Sequence, residues 1–162
     1  MPDQMIQNPS GVWGYAPTPN PTVKYFINGS GAARKPGDVV SLRGDATGTT
    51  VNIPNALNDV LIVGVVAAVI PTDSMNSQPT TLNFAAGGDM PVIVYGPARV
   101  NVGAAAPAVG DLLTGAATAA TAVTNAAAPA ANAVVGSIIA VALEAGAAKD
   151  ANNTIRCWIN KE

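Results

Sequence analysis

Three times in this chain a Gly-Asp pair stands directly before a short apolar run. Gly37-Asp38 precedes Val39-Val40-Ser41-Leu42, Gly88-Asp89 precedes Met90-Pro91-Val92-Ile93-Val94, and Gly110-Asp111 precedes Leu112-Leu113. Glycine reaches positive φ at no steric cost, and aspartate can bond its own downstream backbone, so the pair makes a tight lead-in to a strand. The three aspartates are therefore read as turn formers. Each pair therefore predicts a turn that feeds a strand.

The runs between the turns agree. Leu61 to Ile70 is rich in β-branched residues and reads as a strand buried on both faces, with Gly64 permitting a bulge or a close approach. Met90 to Val102 reads as two strands around Gly96-Pro97, with Val100 and Val102 facing one way and Arg99 and Asn101 the other. Val134 to Leu143 is a further β-branched run. Near the end, Ile155, Cys157 and Ile159 alternate with Arg156, Trp158 and Asn160, which predicts a strand with one half-wet face. Cys157 falls on the apolar face, as a small core residue. Alanine propensity alone predicts a helix over Ala116 to Ala128, but three threonines, Gly115 and Pro129 oppose it, so short strands and loops are expected there. Turn signals about every eight to twelve residues, with no long segment of helical period, predict an all-β sandwich or small barrel.

Residues 1–35 differ from the rest. They hold five of the 13 prolines (Pro2, Pro9, Pro17, Pro19 and Pro21) and four of the seven aromatics (Trp13, Tyr15, Tyr25 and Phe26). Dense proline prevents a helix and favours extended backbone. Aromatics are scarce in segments that stay unfolded, so on an extended arm they read as anchors that dock on the chain's own body or on a neighbour. The plainer alternative is a leader with a short strand at Val23 to Ile27. The expected division is an arm over residues 1–35 and a β-rich body over residues 36–162.

Much chemistry is missing. The chain has no histidine, which removes the commonest general base and metal ligand, and its single Cys157 allows neither a disulfide nor the usual zinc spacings. There is no Gly-x-Ser-x-Gly elbow and no phosphate loop of the Walker type. Gly29-Ser30-Gly31 begins like a dinucleotide motif, but Arg34 stands where its third glycine belongs. Glu144 is the only glutamate before Glu162. No catalytic residue, cofactor or metal is expected, and the protein reads as a non-enzyme.

A net charge of −2 argues against a nucleic-acid partner, which needs a basic footprint. Arg34-Lys35, the only adjacent basic pair, reads as a solvated loop. The longest apolar run, Val60 to Pro71, is too short for a bilayer, which takes roughly 20 residues, and no signal-like N-terminus is visible. Neither a membrane nor a secretory route is expected. Charged residues are only 11% of the chain against a usual share of about 25%, so a surface partly covered by other subunits is expected.

The order of words then becomes informative: Gly37-Asp38-Val39-Val40, Val63-Gly64-Val65-Val66, and Pro91-Val92-Ile93-Val94-Tyr95-Gly96-Pro97-Ala98-Arg99-Val100. Val109-Gly110-Asp111-Leu112-Leu113, Val135-Gly136-Ser137 and Ala142-Leu143-Glu144-Ala145 follow, before a closing strand. From about residue 37 to 160 this series resembles the capsid cement, or head decoration, proteins of tailed phages. The long Ala-rich insert around Ala116 to Ala133 departs from that pattern. The resemblance implies a small β-barrel or β-tulip-like body, forming homotrimers on the outer surface of the virion capsid. It implies the major capsid protein and neighbouring decoration trimers as partners, with synthesis in the host cytoplasm. The function it implies is to bridge capsomers and stabilise the shell against internal DNA pressure. Trp13, Tyr15, Tyr25 and Phe26 are then the expected contacts of the arm with capsid or neighbour. The alternative is a receptor- or carbohydrate-binding β module, whose sites usually cluster exposed aromatics and polar groups on body loops, whereas the body here has only Tyr95, Phe84 and Trp158.

Overall fold

The computed structural model describes residues 21–43, 47–55, 59–67, 83–117, 119–124 and 135–161. Nine strands run through them: β1 (Thr22–Asn28), β2 (Val39–Leu42), β3 (Thr50–Asn52), β4 (Ile62–Val66), β5 (Asp89–Asn101), β6 (Leu112–Gly115), β7 (Ala122–Thr124), β8 (Ile138–Ala142) and β9 (Thr154–Asn160). The only helical pieces among the described residues are single 3-10 turns at Val135–Ser137 and Gly146–Ala148.

The Gly-Asp words begin strands, and the geometry says why. At Lys35–Asp38 and Ala108–Asp111 the fourth residue's N–H bonds the first residue's carbonyl, at 3.1 and 3.2 Å. The third residue is glycine at φ +94° and +90°, the signature of a type II turn. Each aspartate then reaches back rather than forward: its Oδ2 accepts from the N–H of Lys35 (3.2 Å) or Ala108 (2.8 Å), three residues upstream. The third word is displaced by one. Its turn is Ala85–Gly88, with Gly87 at φ +79°, so Asp89 is already the first residue of β5.

Strand order is β1-β3-β2-β4-β5-β9-β8-β6-β7, and β1 also pairs with β5. That extra pairing closes the first five strands into a barrel. Every barrel strand sends apolar side chains into its lumen: Val40, Val51, Val66, Met90, Val92 and Val94 are buried there, packed by Phe26, Leu42, Val63 and Phe84. Strands β9, β8, β6 and β7 continue from the C-terminal half of β5 as a sheet that lies against the barrel's outer wall. The second core forms between them. Val39, Ile62, Val65 and Ile93 come from the wall, and Leu113, Ile139, Ile155, Cys157 and Ile159 from the sheet.

Two glycines make this possible. In β4 the register against β2 slips between Val40 and Ser41, so Val63 is an extra residue and the faces exchange. Val63 and Val66 thereby pack with the lumen, Ile62 and Val65 with the outer core. A Cβ on Gly64 would lie 2.1 Å from the Ile93 carbonyl oxygen, so the strands could not approach this closely. In β5, Gly96 stands at φ +103° and does not end the strand. The two strands expected around Gly96-Pro97 are therefore one, 13 residues long, because a positive φ and a missing proline N–H fall where β5 changes partners. Before Gly96 it pairs with β1 and β4, and from Tyr95 onward with β9.

Ala122–Thr124 is a strand, while residues 125–134 of the Ala-rich insert lie outside the described residues. β9 buries Ile155, Cys157 and Ile159 and leaves Arg156 and Asn160 exposed, as its alternation predicts. Within the span expected for the arm, Thr22–Asn28 is β1, a wall of the barrel, paired with β5 from Thr22–Tyr95 to Ile27–Asp89. Any arm that can be separated from the body ends before Thr22.

Removing Met90 from the lumen (Met90→Ala) is expected to cost about 2–5 kcal/mol. Gly64→Ala, which forces β4 away from β5, is expected to cost about 1–3 kcal/mol. Both are read as shifts of the denaturant midpoint, and parent-like midpoints would refute the packing described.

Candidate functional site

The chain's few charges are mostly tied up in structure. Arg99 points away from Val100 as alternation requires, yet only 7% of it is exposed. Its Nε donates to Thr154 Oγ1 at 2.9 Å and to Asp150 Oδ2 at 3.1 Å, and its Nη2 to the Thr154 carbonyl at 3.0 Å. Glu144 lies 3.6 Å from the same guanidinium and accepts from the Arg156 N–H. Asp150 Oδ1 accepts from the N–H groups of Asn152 and Thr154, and its Oδ2 from the Thr154 hydroxyl at 2.7 Å. The loop from Glu144 to Thr154 is thereby clamped over the far end of β5. Burial alone would raise the Asp150 pKa. The Thr154 hydroxyl and N–H, the Arg99 charge and the Asn152 N–H outweigh it, and the carboxyl ends below its usual value.

A second buried carboxylate goes the other way. Asp38 is pushed up by burial, only partly offset by the Lys35 N–H, by Asn101, and by the charges of Arg34 and Lys35. Arg34 itself is not a free solvated cation: it bonds Ser30 Oγ at 3.0 Å and pairs with Asp38 at 3.7 Å. The glycine-flanked loop at Ser30 is closed by Asn28, whose Oδ1 accepts from the Ser30 N–H and lies 2.7 Å from its hydroxyl. Those donors serve the fold. Burial pushes the Cys157 thiol up to about 12, so it is a core side chain with almost no thiolate. Among the described residues no group of three or more His, Cys, Asp or Glu side chains could hold a metal ion.

The surface is more distinctive than the interior. Residues paired across neighbouring strands share a face. Leu112 pairs with Val141, Val141 with Trp158, and Trp158 with Pro97, a row across β6, β8, β9 and β5. The opposite face of this sheet packs on the barrel, so the row lies on the outer face, where Leu112 is exposed, Val141 and Trp158 are half-buried and Pro97 is buried. Tyr95 joins it, its ring edge-to-face with Trp158 at 5.7 Å and 86°. Ile138, Ala140 and Asn160 complete a shallow groove beside Leu112 and Val141. The turn holding Val109 is tied to Ala142 by the Gly110 N–H, next to exposed Leu143. Of the eight large apolar residues exposed among the described residues, Tyr95, Val109, Leu112 and Leu143 belong to this region.

The four aromatics expected on the arm separate. Trp13 and Tyr15 lie outside the described residues. Phe26 packs on the barrel's own lumen cluster, and Tyr25, on the opposite face of β1, is 73% exposed. The sequence offered a partial signal for the outward row, since Trp158 stood on the half-wet face of the last strand. It held no sign that Tyr95 would meet it.

No family model matches the chain, and no curated protein does. Among solved structures, a chain from the capsid of Myoviridae phage XM1 superposes with a TM-score of 0.52 at 18% identity, over 87% of this chain and 84% of that one. The N base of head fiber gp8.5 in bacteriophage phi29 gives a weaker superposition, 0.43 at 14% identity, over 87% of this chain and 95% of that one. At 18% identity the likeness to the XM1 chain is one of fold.

Replacing Arg99 by methionine takes the paired cation from Asp150 and leaves Glu144 with half-exposed Arg156, and is expected to cost about 3–5 kcal/mol. Because the folded pKa of Asp150 is lowered, its contribution is present above the ordinary carboxylate value of 3.8 and lost as pH falls through the folded pKa. Asp38 has the opposite sign: its burial cost is relieved as pH falls from its raised folded pKa toward 3.8. Stability against pH should therefore decline less steeply below 3.8 in Asp150→Asn than in the parent. Superimposable acid limbs would refute the assignment.

Proposed function

We propose that this protein is a structural, non-catalytic component of a tailed-phage head, binding the outer surface of the capsid as a trimer and bridging capsomers. The observation that carries this reading is the barrel-plus-sheet fold shared with a chain of the XM1 capsid. The order of sequence words from Gly37 to Asn160 and the unusually low charge support it. So does the outward apolar row, which suits a surface that spends its life against other subunits.

The task needs no reactive group. It needs contact area repeated over the shell. A trimer presents each contact three times, so modest affinities multiply through effective concentration. Trp13 and Tyr15, upstream of β1, are the anchors on the shell or a neighbouring subunit. Burying an aromatic of that size contributes roughly 2–3 kcal/mol at about 25 cal/mol per Å². Ordering the backbone costs about 1–2 kcal/mol per residue, so the anchors must seat well. Tyr25, exposed on the barrel, is a further contact, whereas Phe26 serves the lumen. Of the aromatics a glycan-binding body would need, Phe84 is likewise packed into the barrel.

The purified full chain is expected to co-sediment with expanded, undecorated phage heads and to run as a trimer. Trp13→Ala with Tyr15→Ala should weaken sedimentation while leaving the fold unchanged by circular dichroism. A monomer that stays in the supernatant would overturn the reading, and tight binding by the double variant would overturn the role of the anchors.

A further inference from the structure

The outward row on β6, β8, β9 and β5 has a nearby candidate to cover it. The described chain begins at Pro21, and Pro21 packs on Gly96: a Cβ there would lie 3.0 Å from the Pro21 Cα. Thr22 pairs with Tyr95, the residue whose ring meets Trp158. The 20 residues upstream therefore leave the fold at one corner of the apolar face. That segment holds Met1, Met5, Ile6, Val12, Trp13 and Tyr15, and Asp3 is its single charged side chain. Its scarce charge and its aromatics, unlike its prolines, run against what keeps a tail in solvent.

Reach allows the match. Eight residues separate Trp13 from Pro21, which spans up to roughly 26–29 Å at about 3.3–3.6 Å per residue. The face is four strands wide, or roughly 14 Å at about 4.8 Å between strands. A tether this short holds its anchors at an effective concentration in the millimolar range.

We propose that in the free protein residues 1–20 lie on the outer face of their own sheet, with Trp13 and Tyr15 seated against Tyr95, Trp158 and the Leu112–Val141 groove. The occupant is the chain's own segment, because it starts at the edge of the patch and shares its apolar, charge-poor character. The assignment concerns the unassembled protein and stands apart from binding to a shell.

A cysteine pair tests it in the full chain. Trp13→Cys is combined with Leu112→Cys on the face, or with Thr49→Cys, an exposed residue at the other end of β1. Buried Cys157 stays out of the chemistry. Under mild oxidation the disulfide of the Trp13→Cys/Leu112→Cys variant is expected to form severalfold faster than that of the Trp13→Cys/Thr49→Cys variant, within a single chain on non-reducing electrophoresis. Equal rates would overturn docking on this face, and a disulfide joining two chains would assign the face to a second copy instead. A second measurement needs no new cysteine. Trp13→Ala with Tyr15→Ala should raise binding of a hydrophobic dye severalfold over the parent, and unchanged dye binding would overturn the proposal.

Discussion

A strand of 13 residues has two faces along its whole length, and β5 must bury its ends in two different cores. Before Gly96 the side chains of Met90, Val92 and Val94 fill the barrel, and Ile93 on the other face reaches the outer core. After it, Ala98, Val100 and Val102 turn to the outer core. Simple alternation would carry the even-numbered face along one side throughout. The positive φ at Gly96 breaks that continuity, and the partners change at the same point. The barrel closes on the first half of this strand and the sheet grows from the second. Every other element takes its place from that switch.

The switch carries a cost, met by polar groups. Where β5 leaves the barrel, Arg99 pairs with exposed Arg156 yet lies under a loop rather than in solvent, and Asn101 is buried as well. A buried guanidinium is tolerable only with its donors satisfied, and here Thr154, Asp150 and Glu144 satisfy them. Asn101 reaches Asp38 at the end of the Lys35–Asp38 turn. The network therefore joins the loop before β9 to the turn before β2 through one strand. Directional bonds of this kind fix which loop lies over which strand, something two cores of interchangeable valines and isoleucines could not do.

Local chemistry was legible in the sequence, and long-range pairing was not. The turns at Gly37 and Gly110 were readable because a glycine and an aspartate act within four residues. So were the close approach at Gly64 and the alternation of β9. The continuity of β5 was hidden because Gly-Pro is a turn signal unless distant strands hold it straight, and its partners, β1 and β9, lie far away in the chain. A strand at Val23 to Ile27 was legible as the plainer alternative, and β1 spans Thr22–Asn28; its place in the barrel wall was hidden, because its partner β5 lies far along the chain. Burial of Arg99 depended on a loop some fifty residues downstream, which no spacing rule connects to it. The outward row was half visible, since Trp158 was read as half-wet while its neighbours Leu112, Val141 and Tyr95 come together only through register.

That row also explains the composition better than the interior does. With charged residues at 11%, solubility depends on where the few charges are spent, and this fold spends several inside. Arg99, Asp38 and Asp150 hold strands and loops, while Arg34, Glu144 and Arg156 are engaged in pairs. Even on the outer sheet, Arg156 beside Trp158 is held by Glu144. An outward apolar row with few charges around it invites association. On the reading proposed above, the charges secure the shape and the apolar row is left for contact with other subunits.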